Sequence, residues 1–218
     1  MINQSFQEGV KLPLSEKQIQ TMELRKKKIL EAAMGLFATE GYEGTTIKKV
    51  SVAANVSFGS VFTYFKDKEA LFYTVVVEPL AELKERVLFF DETSADPLLE
   101  TKQMLREHFR AFAEMNRYLQ LVVQVVGQHE RYADVFKELD EFHDVFRVKV
   151  GKLVQNGQQI GVFKKQDPLI VATLYTSLLI GVRLNSTDNR YSDVWEQYAV
   201  TALNLFAPTE KVTDKGLS

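Results

Sequence analysis

The side chains best suited to act on a partner are concentrated between Leu24 and Lys68. This stretch holds eight bases (Arg25, Lys26, Lys27, Lys28, Lys48, Lys49, Lys66 and Lys68) against four acids (Glu31, Glu40, Glu43 and Asp67), a balance of +4. The whole chain carries a formal charge of −2, so the remainder carries −6. A basic module on an acidic body suits a protein in which one part meets a polyanion and the other avoids it. Hydroxyl side chains that can bond phosphate oxygens and base edges lie among those bases: Thr46, Ser57, Ser60, Thr63 and Tyr64. A solvated helix face would give the same charge count, so charge alone leaves both readings open.

Other chemistries find little support. The 218 residues include no cysteine, which excludes disulfides, thiolate metal sites and cysteine nucleophiles and fits a reducing cytoplasm. His108, His129 and His143 fall on separate predicted segments without a two-ligand spacing, so no metal site is expected, zinc included. There is no phosphate-binding glycine loop, no metal-ligand motif and no nucleophile paired with a base; neither an enzyme nor a cofactor is expected. Leu169 to Leu184 is the longest apolar stretch, but Thr173, Thr176, Ser177 and Arg183 interrupt it. A membrane span needs roughly 20 mostly apolar residues, so this stretch reads as a buried helix and no membrane partner is expected. Residues 1–23 lack the pattern of a secretory signal and read as a flexible extension of a cytoplasmic protein.

The elements that must position the basic stretch are helices. Eleven glycines and five prolines in a chain that is 45% hydrophobic leave few helix breakers. Over residues 24–40, Ile29, Ala32, Ala33, Leu36 and Phe37 form an amphipathic stripe, and Gly41 ends it. Thr45-Thr46 suits an N-cap for a short helix with Ile47, Val50 and Ala54 on one side. Asn55 tolerates the left-handed backbone of a tight turn. Ser57 can cap a further short helix whose buried edge is Val61 and Phe65, and Asp67 then caps a long helix running toward Phe90. Two short helices meeting at a sharp turn, Thr46 to Phe65, have the outline of a helix-turn-helix.

The string TTIKKVSVAANVSFGSVFTYFKDKEALF closely resembles the DNA-binding signature of the TetR family. Gly41-Tyr42, Thr45-Thr46, Val56-Ser57, Gly59, Val61, Phe62, Tyr64, Phe65, Lys68 and Leu71 fall in register, and the resemblance covers residues 25–71. It implies an all-α protein in which a three-helix helix-turn-helix domain, residues 24–71, precedes a larger helical ligand-binding and dimerisation domain, residues 72–207, and a tail, residues 208–218. The implied function is a transcriptional repressor released from a palindromic double-stranded operator by a small-molecule effector. The alternative is a TetR-fold adaptor acting through protein partners without specific DNA binding.

On that reading each residue has a physical role. Thr46 can donate its hydroxyl to a phosphate at a helix start. Gly59 lets the recognition helix approach the DNA backbone closely. Ser57, Phe58, Ser60 and Thr63 are expected at base edges, where the Phe58 ring could meet a thymine methyl. Tyr64 and Lys68 are expected as phosphate clamps, with Lys48, Lys49 and Arg25 to Lys28 as further phosphate contacts. Phe62 stands where the family commonly has tyrosine, Phe58 where many relatives are polar, and Asn55 where glycine is usual.

In the body, Leu98–Met115, Tyr118–Val126, Glu130–Gln159, Leu169–Leu184 and Ser192–Phe206 read as helices. Phe109, Phe112, Met115, Tyr118, Phe142, Phe146 and Tyr175 read as core that could also wall an apolar effector pocket. The last two helices, through Leu174, Leu178, Trp195, Tyr198, Ala202 and Phe206, are expected to form a four-helix bundle between two copies.

Overall fold

Ser15 opens the first helix with a reciprocal cap: its hydroxyl accepts the Gln18 N–H, and the Gln18 side-chain Oε1 accepts the Ser15 N–H at 2.8 Å. This helix, α1 (Glu16–Gly44), therefore begins ahead of the expected boundary, and residues 16–23, read as flexible from the sequence, are helical. The computed structural model describes residues 15–185 and 194–209. Gly41 sits inside the last turns of α1 at φ 71°, a left-handed value that glycine adopts without strain, and bends the chain toward the next element.

α2 (Ile47–Ala53) and α3 (Phe58–Phe62) follow, capped by Thr46 and Ser57 as their sequence suggests. The turn between them places Asn55 at φ 53°, the left-handed conformation expected of it. Ile29, Ala33, Phe37, Val50, Ala54, Val61, Phe65 and Leu71 are buried in and just after these helices and belong to the same core cluster as the helices that follow. α4 (Lys68–Val87) starts at Asp67, whose carboxylate accepts the Ala70 N–H at 2.7 Å, and runs from this module into the body.

The body comprises α5 (Pro97–Glu114), α6 (Asn116–Gly127), α7 (Ala133–Ile160), α8 (Pro168–Asn185) and α9 (Val194–Ala202), closed by a 3-10 turn, Leu203–Phe206. α7 packs along α8, and α5 along α9. Ser192 and Asp193, the expected start of the last helix, lie outside the described residues, and its end tightens from α to 3-10 winding at Leu203. Gly161, in the left-handed conformation at φ 89°, terminates α7. Beyond the final turn, Lys164 and Thr209 donate backbone N–H groups to Ala207 and Val162, each at 2.9 Å, pinning residues 207–209 onto the α7–α8 connection. Among the described residues the one β feature is an isolated bridge between Phe163 and Pro208, and no helix is long and apolar enough to cross a membrane.

Candidate nucleic-acid interface

The exposed side of the helix-turn-helix is defined by what its core does not use. Val61 and Phe65 point inward and are almost fully buried, as their spacing indicates. Phe58, Phe62 and Thr63 project outward beside Gly59, and the two rings meet edge to face with centroids 5.1 Å apart. Phe58 is 53% exposed and Phe62 45%, large apolar area that nothing in the protein covers. A Cβ built at Gly59 meets no atom within 4 Å, and Gly59 is not in a positive-φ conformation. The fold itself therefore does not require glycine there. Its missing side chain leaves room for something outside the chain.

The hydroxyls at this surface are held but not exhausted. Thr46 Oγ1 accepts the Lys49 N–H at 3.2 Å, which leaves its own proton free to donate outward. Ser57 Oγ accepts the Ser60 N–H at 3.2 Å and lies 2.7 Å from Ser60 Oγ, so these two act as one hydrogen-bonding unit at the start of α3. Tyr64 is half-buried against the core, its ring 6.4 Å from that of Phe65.

The basic residues divide into two groups. Lys49 donates to the Gly44 carbonyl at 2.8 Å and pairs with Glu40, tying α2 to the end of α1. Lys26 pairs with Glu78, tying α1 to α4. Lys68, expected at phosphate, donates to the Tyr42 carbonyl at 2.9 Å and lies 4.0 Å from the Tyr42 ring centroid, an intramolecular staple. Among the described residues no ion pair engages Arg25, Lys27, Lys28 or Lys48, and all four are exposed. These four carry the free positive charge of the module. Sequence reasoning passed over Val52, which is 74% exposed on α2. Its signal was its position opposite the Ile47, Val50 and Ala54 stripe.

The body places the predicted pocket residues in two groups. Phe146 and Tyr175 flank His108, 5.3 Å and 5.9 Å from the imidazole, ring centroid to ring centroid, and Phe142 packs on Phe146 at 6.1 Å. Phe109 faces the other way, toward Trp195 and Tyr198. Phe109, Phe112, Tyr118, Phe146 and Tyr175 are buried, and Met115 and Phe142 pack against them partly exposed. The Tyr118 hydroxyl donates to the Val76 carbonyl at 2.9 Å.

His108 Nε2 lies 2.7 Å from the Val87 carbonyl, which can only accept, so Nε2 carries the proton and Nδ1 accepts the Tyr175 hydroxyl at 2.9 Å. Burial pushes the imidazole pKa down to about 3, partly offset by the Val87 hydrogen bond, and burial raises the Tyr175 hydroxyl well above its ordinary value. The result is a neutral hydrogen-bonded chain from the end of α4 through α5 to α8. Among the described residues no cluster of histidine, aspartate and glutamate could hold a metal.

Of the six residues expected to face a second copy, Leu174 is 52% exposed and Leu178 37%. Contrary to that expectation, Phe206 and Ala202 are buried within the chain itself, Phe206 against Phe163 and Tyr175, and offer no surface to a partner. Trp195 and Tyr198 are half-buried against Phe109. The reason is that α9 uses its apolar side to cover α5. Ile170 on α8 and Val145 and Val148 on α7 are also exposed apolar residues.

Residues 29–75 match the family model for bacterial regulatory proteins of the tetR family. The chain is 30% identical over 136 residues to the HTH-type transcriptional repressor AcnR of Corynebacterium glutamicum, covering 61% of this chain and 68% of AcnR. It is 27% identical over 160 residues to the HTH-type transcriptional regulator YhgD of Bacillus subtilis, covering 72% of this chain and 82% of YhgD. The solved structure of AibR in complex with isovaleryl coenzyme A and operator DNA superposes with a TM-score of 0.65 at 19% identity, over 84% of this chain and 99% of AibR.

Proposed function

The chain belongs to the TetR family of bacterial regulatory proteins, and from that premise we propose that it represses transcription by binding a palindromic operator as a homodimer and is released by a small, largely apolar effector. The observation that carries the reading is the α3 surface. Gly59 is unconstrained by its own fold, the rings beside it are uncovered, and the hydroxyls of Ser57, Ser60 and Thr63 lie along the same short helix. A major groove offers thymine methyls to such rings and hydrogen-bonding base edges to such hydroxyls. Thr46 and Lys48, with Arg25, Lys27 and Lys28, supply contacts to phosphate.

A two-fold axis through the exposed Leu174 and Leu178 face of α8 would pair two readers. The effector would enter the aromatic cluster around His108. Val87 at the end of α4 is hydrogen-bonded to His108, and the start of α4 is stapled to the reader by Lys68. Displacement of His108 would therefore tilt α4 and change the separation of the two readers, which must sit roughly 34–36 Å apart to enter successive major grooves. AibR, bound to both an acyl coenzyme A and operator DNA, shares this fold.

The test is selection from a random double-stranded DNA library with the purified protein. An enriched palindrome with half-sites about one helical turn apart supports the reading. Enrichment of nothing, even at low salt, would overturn it and favour an adaptor that uses Phe58 and Phe62 against a protein partner.

A further inference from the structure

A cleft of about 610 Å³ opens where the end of α1, the first turns of α4 and the start of α7 meet. One wall is the ring cluster of Tyr42, Phe72 and Tyr132, with centroids 5.1 Å apart for Tyr42 and Phe72, 5.9 Å for Tyr42 and Tyr132, and 5.0 Å for Phe72 and Tyr132. Two cations of the chain itself already lie over these rings. Arg131, from the α6–α7 connection, holds its guanidinium 5.8 Å from the Tyr42 centroid and 5.5 Å from that of Tyr132, and Lys68 lies 4.0 Å from Tyr42. The negative face of a tyrosine ring attracts cations in this way.

Arg131 is a replaceable occupant. Its side chain is 46% exposed, and its ion-pair partner Glu43 is 70% exposed, an ion pair of the kind that contributes little to stability. The carboxylates of Glu69 and Asp134 line the same cleft. The Tyr42 phenol is raised above its ordinary value by desolvation and then by Glu69 and Asp67; that of Tyr73, also in the lining, is raised by desolvation and then by Glu138 and Asp134. Beyond Arg131, whose own charge lowers the Tyr42 phenol, Glu69 and Asp134 thus set negative charge on two walls of the cleft. Lys66 opposes it from a side chain that is 82% exposed, where solvent screens the charge.

We propose that this cleft is a ligand site, distinct from the aromatic cluster of the body, for a flat organic cation that takes the place of Arg131 on the Tyr42 and Tyr132 rings. Its occupant bridges the reader, through Tyr42, and the body, through Tyr132. The site therefore offers a second input to the position of the reader, and it stands whether or not the protein is a repressor.

The full-length protein labelled with fluorotyrosine is titrated, under fluorine NMR, with benzamidinium, benzamide and benzoate, which share a ring and differ in charge. Benzamidinium is expected to give saturable shifts at concentrations about tenfold below those of benzamide, with benzoate inert. Arg131→Ala removes the competing cation and is expected to tighten benzamidinium binding several-fold. Glu69→Gln is expected to weaken it, and Tyr132→Leu to abolish it. Binding of benzoate that disappears in Arg131→Ala would show an anion site and overturn the proposal, as would the absence of saturable shifts in both the wild type and Arg131→Ala. Glu69 is exposed, so its substitution keeps the test decisive if Tyr132→Leu fails to fold. No DNA enters the measurement, so its outcome is separate from that of the operator selection.

Discussion

Phe58 and Phe62 on α3 and Phe146 and Tyr175 in the body have similar side chains and opposite fates. The first pair stands half in solvent with no neighbour to cover it, while the second is sealed around a neutral imidazole. An aromatic ring buried in a core contributes to stability by excluding water and filling space. A ring left exposed contributes almost nothing to stability, and two such rings side by side make an apolar patch suited to contact with something else. The polar groups show the reverse contrast. Thr46 and Ser57 keep hydroxyl capacity at the surface, whereas His108 and Tyr175 consume theirs on one another and on Val87. The helix-turn-helix surface thus leaves hydrogen-bonding groups and rings uncovered, whereas the cluster around His108 satisfies its own.

The sharpest way to break that contrast is Phe146→Ala, which leaves a void in the sealed cluster and is expected to cost about 3–5 kcal/mol of stability. Chemical denaturation measures it; a loss below about 1 kcal/mol would show that the cluster is already loosely packed. His108→Leu should cost about 1–3 kcal/mol for each of the two partners it orphans, the Val87 carbonyl and the Tyr175 hydroxyl.

The same histidine predicts a pH response. Its pKa falls from 6.5 in the unfolded chain to about 3 in the fold, so between these values the unfolded state binds the extra proton. The stability from this site is fully present above pH 6.5 and is lost progressively as pH falls toward 3. Melting temperatures across that window should slope more steeply for the wild type than for His108→Gln, and parallel slopes would mean that His108 is already charged or exposed.

Smaller effects are expected in the reader. Ser57→Ala removes a helix cap and should cost about 1 kcal/mol. Phe58→Ala should change stability by less than about 0.5 kcal/mol, because the ring touches little of its own fold. Its effect should appear in affinity for the selected operator, with non-specific binding spared. A stability loss comparable to that of Phe146→Ala would place Phe58 in the fold rather than at an interface.

The helical fold and the reader were legible because their information is local. Thr46, Ser57 and Asp67 cap helices by bonding N–H groups within three residues, and Val61 and Phe65 share a face by helical period alone. Asn55 in the turn is a property of one residue's backbone. Lys68 and Lys26 were not legible in the same way. A basic side chain in a basic stretch looks the same in sequence whether its partner is a phosphate or the Tyr42 carbonyl and Glu78 of its own chain.

In the body, periodicity marked Phe206 and Ala202 as apolar but could not tell a protomer core from a dimer face, since both require the same stripe. The packing of α9 on α5 decided it, and Leu174 and Leu178 of α8 stay exposed. His108, Tyr175 and Val87, separated by up to 88 positions along the chain, form a hydrogen-bonded line only because α4, α5 and α8 cross there. The sequence by itself determined the helices, their caps and the family of the reader, because each follows from neighbours within a turn or two. Which charges are free, which rings are covered and where the cleft beside Arg131 opens were decided by tertiary structure, because burial and long-range partners arise only when distant helices meet.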